Sequence, residues 1–162
     1  NQLIGDANGK RFNDFAQDLT LQQLLALANI RLAQLIDRYQ IASPRPEEDD
    51  SLVAVDNHMG GQRRSVKTLS GGETFILSLS LALALSDLAA KNVEINSLFI
   101  DEGFGTLDSE TLDQTIDTLE KFQSESSKTI GIISHVEALK ERIGTQIQLE
   151  RNGQGYSSLK VV

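Results

Sequence analysis

The feature that most constrains the fold is a strand, helix and strand pattern between residues 98 and 133. Residues 98–100 and 129–133 are short runs of apolar and β-branched residues, which are typical of buried strands. Between them an apolar stripe recurs at helical spacing, at Leu112, Ile116, Leu119 and Phe122. This order predicts a parallel strand pair joined by a right-handed crossover. We therefore expect an α/β fold with a mainly parallel sheet flanked by helices.

A second constraint is the long apolar run at residues 75–90. Alternating leucines would suit a strand, but the run is rich in Leu and Ala and contains no Val or Thr. We therefore predict a helix that is buried on nearly every face. The run is shorter than a bilayer requires and carries polar residues, namely Ser78, Ser80, Ser86 and Asp87, so we expect no membrane partner.

The N-terminal third of the chain predicts a long helix followed by a connector. Thr20 and Gln23 have the spacing of a capping box, so the helix is expected to begin near Leu21. Its apolar stripe could pack on a sheet or continue a coiled-coil seam, and consists of Leu21, Leu24, Ala28, Leu32, Leu35 and Tyr39. The proline-containing, acidic residues 43–50 indicate an exposed connector. We therefore divide the chain into a helical segment, 1–43, and a lobe, 44–162.

The remaining predicted elements lie on both sides of the apolar run. Two strands, at 51–56 and 64–69, flank a glycine turn at 57–61. A short helix is predicted at 136–143, and a terminal hairpin has its strands at 146–150 and 156–162.

Composition excludes several classes of protein. The 162 residues are enough for one domain, and 40% hydrophobic with 23% charged residues excludes general disorder. The lack of cysteine excludes a disulfide scaffold and fits a cytoplasmic location. With a net charge of −8, contact with nucleic acid would need a local basic patch, and Arg63, Arg64 and Lys67 form the concentrated basic group. A solvated strand face explains that group equally well. Because the chain begins at Asn1, we expect a piece of a longer protein.

The turn before the apolar helix is the first candidate for chemistry. Gly71 and Gly72 would let backbone N–H groups approach a phosphate that the helix N-terminus also attracts, and Ser70 would add a hydroxyl. A serine-capped helix after a glycine turn explains the same residues equally well.

The ends of the two apolar strands form the second candidate. Asp101 and Glu102 follow the first strand, where an α/β sheet binds its ligands. Asp101 could hold Mg²⁺ and Glu102 could polarise a water, although two solvated acids at a loop are common. His135 follows the neighbouring strand on the same edge, where a lone histidine is more often a surface residue. Asp108 is placed to cap the next helix.

Four features occur in this order along the chain: the turn at Ser70, the strand end at Asp101 and Glu102, the residues that lead to Asp108, and His135. Together they resemble the C-terminal half of an ABC-type ATPase head, with its signature loop, Walker B strand, D-loop and H-switch. The resemblance covers residues 67 to about 135. Transporter ATPases usually have Gln at the position of Glu73 and Pro-Thr after the Walker B glutamate. Glu73 and the run Asp-Glu-Gly-Phe-Gly-Thr-Leu-Asp at 101–108 are instead similar to the SMC-like, SbcC-type repair branch. A transporter ATPase and an SMC-type chromosome scaffold stay as alternatives.

The resemblance implies a role for each matched residue, with ATP and Mg²⁺ as cofactors. Ser70, Gly71, Gly72 and Glu73 would clasp the γ-phosphate of ATP held by an opposing head. Asp101 would lie in the Mg²⁺ shell and Glu102 would act as the base. Asp108 would communicate across the dimer, and His135 would contact the γ-phosphate.

The sequence lacks the Gly-x-x-x-x-Gly-Lys-Ser/Thr motif that such a head also needs. The nearest string, at residues 5–11, has one residue too few between its glycines and Arg11 in place of the hydroxyl. In the SbcC-like family this motif lies on an N-terminal segment beyond a long coiled coil. The resemblance thus implies four partners: that segment, a second head, an SbcD-type nuclease subunit and double-stranded DNA. We expect this chain alone to be inactive as an ATPase, and with only His58 and His135 we expect no nuclease site of its own.

Overall fold

The computed structural model describes residues 10–48, 52–89, 96–126, 128–151, 153 and 155–162, with side chains described from Gln17 onward. Four helices are present in the described chain: α1 (Lys10–Leu35), α2 (Gly71–Ala89), α3 (Ser109–Ser126) and α4 (Glu137–Arg142). The described strands are β1 (Tyr39–Ala42), β2 (Val53–Asp56), β3 (Gln62–Ser65), β4 (Ser97–Asp101), β5 (Thr129–Ile133), β6 (Ile147–Arg151) and β7 (Ser157–Val161).

The strands form three small sheets. β1, β2 and β3 make an antiparallel sheet in that order, β4 and β5 pair in parallel, and β6 and β7 form an antiparallel hairpin. The parallel pair connected through α3 and the terminal hairpin confirm the α/β architecture predicted from the sequence. The division into segments 1–43 and 44–162 stays a prediction. β1 of the first segment pairs with β2 of the second, so the two segments share one sheet.

The centre of the core is the contact between α1 and α2. Fully buried side chains of both helices, including Leu32 of α1 and Leu83 of α2, meet there with the inner face of β4 and β5. By length and a mean hydropathy of 1.4, α2 could cross a membrane. Core helices of globular proteins pass the same test, and the buried face of α2 is filled by this chain's own core. The predicted helix is confirmed over residues 75–89, and residue 90 lies outside the described residues. It is less buried than predicted, because one face is open and Leu85 on it is 57% exposed.

The β4–β5 sheet is covered on one face within the described chain. Ile100 is buried against the core, and α3 supplies its predicted stripe of Leu112, Ile116, Leu119 and Phe122, all buried. On the other face Phe99 is 71% exposed. A Cβ atom on Gly131 would lie 2.5 Å from the Phe99 ring, so the glycine allows this ring to lie flat across the neighbouring strand.

Two sequence predictions are corrected. α1 begins at Lys10, not near Leu21, and Thr20 is an exposed residue within the helix. Residues 10–35 contain no Gly or Pro, so nothing stops the helix from extending in front of Thr20. The polar residues Thr20 and Gln23 within this continuous helix only imitate the spacing of a helix start. Tyr39 likewise belongs to β1 and not to the helix. The string at residues 5–9 lies outside the described residues.

The second correction concerns the strand predicted at 64–69. It starts at Gln62 and ends at Ser65, where the Ser65 hydroxyl accepts a hydrogen bond from the Lys67 N–H and starts a short 3-10 turn at Val66–Thr68. The turn at residues 57–61 is present, with left-handed φ at Gly60 and Gly61. Position 51 lies outside the described residues.

Candidate functional site

The turn before α2 is fixed by a reciprocal capping box. The Ser70 hydroxyl accepts a hydrogen bond from the Glu73 N–H at 3.2 Å, and the Ser70 N–H donates to Glu73 Oε2 at 2.9 Å. Gly71 and Gly72 provide the first N–H groups of α2, which an α-helix leaves without an intrahelical acceptor. Ser70 and Gly71 are exposed. The turn therefore caps the helix, and its exposed N–H groups also suit an anion.

The two glycines also allow the turn to approach the loop that follows β4. A Cβ atom on Gly72 would lie 2.8 Å from the Thr106 carbonyl oxygen, and one on Gly71 would lie 3.5 Å from the Thr106 methyl group. No pattern in the sequence indicates this contact. It supplies a packing reason for glycine at position 72 in addition to the predicted approach of a phosphate.

A second contact joins the same two segments. Phe75 of α2 meets Phe104 edge to face, with ring centroids 5.0 Å apart, and Phe104 is buried. Gly103 has φ +99°, and a Cβ atom there would lie 2.2 Å from the Phe75 ring. The turn before α2 and the loop 103–107 consequently pack as one unit.

The carboxyl ends of β4 and β5 lie at one edge of the sheet, as predicted. Asp101 pairs in register with Ile133, and the Glu102 N–H donates to the Ile133 carbonyl at 2.9 Å. His135 Nδ1 lies 3.1 Å from Glu102 Oε1 and 3.0 Å from Oε2. The histidine and the glutamate, 33 positions apart in sequence, are thus brought into direct contact.

Glu102 is held in an unusual backbone conformation. Its φ of +59° lies in the left-handed region, where it is the one non-glycine residue of the described chain. Such a conformation costs an ordinary side chain about 1 to 2 kcal/mol and is common at functional sites. Its side chain is 50% exposed, and that of His135 is 82% exposed. The pair is accessible, and the backbone turn directs the carboxylate over the end of β5.

The other two acidic site residues differ in their partners. Asp108 caps α3, since its oxygens accept from the Thr111 N–H at 2.9 Å and the Thr111 hydroxyl at 2.7 Å. These hydrogen bonds lower the pKa of Asp108. Asp101 is exposed at the strand end. The residues that the structure describes contain no cluster of three or more His, Cys, Asp or Glu that could bind a metal. One carboxylate fits Mg²⁺, which proteins commonly hold with one or two carboxylates together with phosphate oxygens.

Glu73 contacts a network that no sequence pattern indicates. Its Oε1 accepts from the Tyr39 hydroxyl at 2.7 Å and lies 3.4 Å from Arg38 Nη1. Arg38 in turn donates to the fully buried Asp56 at 2.7 Å. Burial acts to raise the pKa of Glu73, but hydrogen bonds from Ser70 and Tyr39 and the charge of Arg38 outweigh it and lower the pKa.

In the predicted basic group, both arginines pair with acidic residues of the same chain. Arg63 donates to both oxygens of Glu48 at 2.8 Å, and Arg64 lies 3.5 Å from Asp56. Lys67 is exposed. The geometry therefore gives two of the three cations a structural role.

Comparisons with known proteins extend over the whole chain. Residues 50–121 match the family described as "SbcC/RAD50-like, Walker B motif". The chain is 46% identical over 162 residues to the SbcC component of the nuclease SbcCD of Pseudomonas aeruginosa, covering all of this chain and 13% of that protein. It is 36% identical over 162 residues to "Probable DNA double-strand break repair Rad50 ATPase" of Aquifex aeolicus, covering 99% of this chain and 16% of that protein. The chain thus spans about a seventh of the length of such relatives.

Solved structures show the same fold. The SMC head domain from Thermotoga maritima superposes with a TM-score of 0.59 at 18% identity, covering 87% of this chain and 48% of that one. The SmcHead bound to the C-winged helix domain of ScpA gives a TM-score of 0.69 at 17% identity, covering 99% of this chain and 47% of that one. The chain therefore has the fold of about half of an SMC-type head.

Proposed function

Because the chain belongs to the SbcC/RAD50-like family of SMC-like ATPases, we propose that it is the C-terminal lobe of an ATP-hydrolysing head. The observation that carries the proposal is the contact between Glu102 and His135 at the edge of the parallel sheet. A strained and exposed glutamate beside a histidine suits the activation of a water for attack on a phosphate. An ordinary loop acid would need neither the left-handed backbone nor the histidine.

Each residue at the edge has a chemical role in this proposal. The Glu102 carboxylate orients the attacking water and accepts its proton, while His135 holds that carboxylate through Nδ1 and turns its other ring nitrogen toward the γ-phosphate. Asp101 would hold Mg²⁺, which supplies positive charge to the phosphate oxygens. Asp108 would communicate with the opposing head from the start of α3.

The turn before α2 has the complementary role. The Ser70 hydroxyl and the N–H groups of Gly71 and Gly72 would grip the γ-phosphate of ATP bound by the opposing head, with Glu73 holding the turn in shape. Support comes from the exposure of Ser70 and Gly71 and from the positive end of the α2 dipole. ATP bound between the two heads would therefore join them.

A complementary lobe is required because the motif for the β-phosphate is absent from this sequence. The apolar outer faces of two sheets support such a lobe. On β6 and β7 the cross-strand pairs Ile147–Val161 and Leu149–Leu159 share a face, and their side chains are 70 to 72% exposed. Parallel strands such as β4 and β5 are normally covered on both faces. We call this chain together with that lobe the complete head.

The names of relatives support part of the wider proposal. A nuclease subunit of the SbcD type, a second head and double-stranded DNA belong to this proposal, as do DNA-end processing in repair and a cytoplasmic location. One relative is named as a component of the nuclease SbcCD and another as a DNA double-strand break repair Rad50 ATPase. Both names support a repair role over a chromosome scaffold or a transporter ATPase.

Reconstitution tests the proposal directly. The chain is mixed with a segment that carries the Gly-x-x-x-x-Gly-Lys-Ser/Thr motif of the Pseudomonas aeruginosa relative, and ATP hydrolysis is measured. We expect activity in the mixture and none with either part alone. Calorimetry should show poor ATP binding by the chain alone. Micromolar affinity there, or a mixture that forms a stable complex without hydrolysing ATP, would contradict the proposed division of the site.

A further inference from the structure

One carboxylate connects the turn before α2 to the segment that leaves α1. Glu73 Oε2 accepts from the Ser70 N–H at 2.9 Å, whereas Oε1 accepts from the Tyr39 hydroxyl at 2.7 Å. The two oxygens therefore serve partners on opposite sides. Ser70 and Tyr39 lie 31 positions apart in the chain, and this side chain bridges them.

The far side of the bridge is fixed by the core. Tyr39 is 2% exposed, and its neighbour Arg38 pairs with Asp56, which is 0% exposed. The Asn57 N–H also donates to the Arg38 carbonyl at 2.8 Å. The chain at Arg38 and Tyr39 is thus anchored to the end of β2 and to the residue that follows it, and the Tyr39 ring is held in the core.

The protonation states of Tyr39 and Glu73 favour a hydrogen bond that persists at neutral pH. Burial, followed by the hydrogen bond to Glu73, raises the pKa of Tyr39 to about 12, so the phenol remains a donor at neutral pH. The pKa of Glu73 is lowered, so its carboxylate remains an acceptor. Donor and acceptor therefore stay matched over the whole physiological range.

The bridge also explains why position 73 is Glu in this chain. A glutamine has a single acceptor oxygen, which could take the Ser70 N–H or the Tyr39 hydroxyl but not both with the same geometry. With that oxygen toward Ser70, the NH₂ group would face the Arg38 guanidinium, donor against donor; with the oxygen toward Tyr39, the NH₂ group would face the Ser70 N–H instead. A carboxylate satisfies both partners at once and pairs with the arginine.

We propose that Tyr39 and Arg38 are positioning residues that, through Glu73, set the placement of Ser70 and the N-terminus of α2 relative to α1. This inference rests on the proposed function, because it gives the turn a nucleotide to grip. The placement of α1 then determines how well the turn fits the phosphate of the opposing head. Neither positioning residue touches the nucleotide.

The test uses Tyr39→Phe in the complete head, which removes one hydroxyl and keeps the ring. We expect the ATP concentration for half-maximal hydrolysis, and that for ATP-driven dimerisation of heads, to rise about five- to tenfold. This is less than the full effect of one charge-assisted hydrogen bond, because Tyr39 acts on the phosphate only through Glu73. The kcat at saturating ATP should stay within about twofold, because Glu102 and His135 are untouched. Glu73→Gln should raise KM similarly, and the double variant should be no worse than the more affected single variant.

The matched control is Thr118→Val. The Thr118 hydroxyl is largely buried, donates to the Gln114 carbonyl of α3 at 2.8 Å and lies 3.3 Å from the Gln34 carbonyl of α1. Its removal therefore disturbs the contact between α1 and α3 without involving Glu73. We expect a lower Tm for this variant with an unchanged KM. Equal changes of KM in Tyr39→Phe and Thr118→Val, or additive effects of Tyr39→Phe and Glu73→Gln, would overturn the proposal.

Amide hydrogen exchange separates this inference from the proposed function, since it needs no ATP. In Tyr39→Phe the Ser70 amide, which donates to Glu73, should exchange faster than in wild type, while in Thr118→Val it should not. If the wild-type complete head does not hydrolyse ATP, the proposed function is wrong. The exchange result still shows whether Tyr39 controls the Ser70 turn through Glu73. Unchanged exchange in Tyr39→Phe would remove the link itself.

Discussion

The fold pairs its acidic residues in one region and exposes them in another. The first region surrounds the turn before α2, and the second is the edge where β4 and β5 end. Near the turn, Asp56 is fully buried and paired with Arg38, and the β1–β3 sheet that contains Asp56 also pairs Glu48 with Arg63. At the edge, Asp101 is exposed, and Glu102 contacts a highly exposed histidine. Carboxylates of the first region have their partners inside the chain and hold its shape. Those of the second region are left open to a ligand from outside.

The backbone shows the same contrast. The turn before α2 combines ordinary backbone geometry with a capping box that satisfies both of its residues. The edge places Glu102 at φ +59° and follows it with Gly103 at φ +99°. Strain is therefore concentrated where the proposed chemistry occurs, and hydrogen bonds are concentrated where the chain supports it.

The largest effect is expected at the open edge. Glu102→Gln in the complete head should lower ATP hydrolysis by about 10²-fold or more, because the amide cannot accept the proton of the attacking water. ATP binding measured by calorimetry and the Tm should change little, since the shape and the backbone are preserved. The same substitution at Glu73 serves as the control, with kcat retained. Near-normal turnover of Glu102→Gln would remove this residue from the role of base.

The next effect is expected at the exposed serine of the turn. Ser70→Arg should weaken ATP-driven dimerisation of heads by at least about tenfold, because a long cationic side chain would fill the space proposed for the phosphate. Sizing chromatography with and without ATP measures this. Ser124→Arg, on the exposed surface of α3, is the control and should dimerise normally. An unchanged dimer of Ser70→Arg would count against binding from the opposing head.

A smaller effect tests the packing of the turn on loop 103–107. Gly72→Ala would place a methyl group 2.8 Å from the Thr106 carbonyl oxygen, so either segment must shift. We expect a loss of about 1 to 3 kcal/mol in the free energy of unfolding, the usual range for overpacking. Gly144→Ala is the control, because a Cβ atom there meets nothing within 4 Å. Equal stability of the two variants in thermal unfolding would show that the turn and the loop are independent.

The smallest effect concerns pH at the paired acids. The hydrogen bonds from Arg63 and the Arg45 N–H lower the pKa of Glu48 from 4.5 to about 2. A lowered folded pKa means that the stabilisation is present above pH 4.5 and is lost as the pH falls toward 2. The difference in Tm between wild type and Glu48→Gln should thus be constant near neutral pH and shrink between pH 4.5 and 2. In an Arg63→Met background this pH-dependent difference should become clearly smaller, with the remainder due to the Arg45 N–H. A difference of undiminished size would assign it to another group.

Local pattern was enough to predict the elements that carry the proposed chemistry. Residues 129–133 form the strand that their β-branched character predicts, and the predicted parallel pairing brings Asp101 and His135 to one edge. The direct contact between Glu102 and His135 was not predicted, because it depends on the left-handed turn at Glu102. Nothing in a Glu at that position signals such a backbone.

Contacts over long sequence separations were beyond prediction. The capping role of Glu73 could be inferred from its spacing to Ser70, but its bond to Tyr39 depends on the way α1 packs against α2. Arg63 and Arg64 looked like a basic patch because their partners, Glu48 and Asp56, become neighbours only when β2 and β3 pair. The start of α1 shows the opposite case, in which a local pattern misleads: Thr20 and Gln23 imitate a helix start, although no helix breaker interrupts residues 10–35.

The apolar face of the β6–β7 hairpin has a practical consequence for anyone producing this protein. Four large aliphatic side chains lie exposed on one face of this hairpin. Such an apolar face favours association with the same face of another molecule. The chain on its own should therefore aggregate as its concentration increases. Co-expression with the proposed complementary lobe should raise the soluble yield.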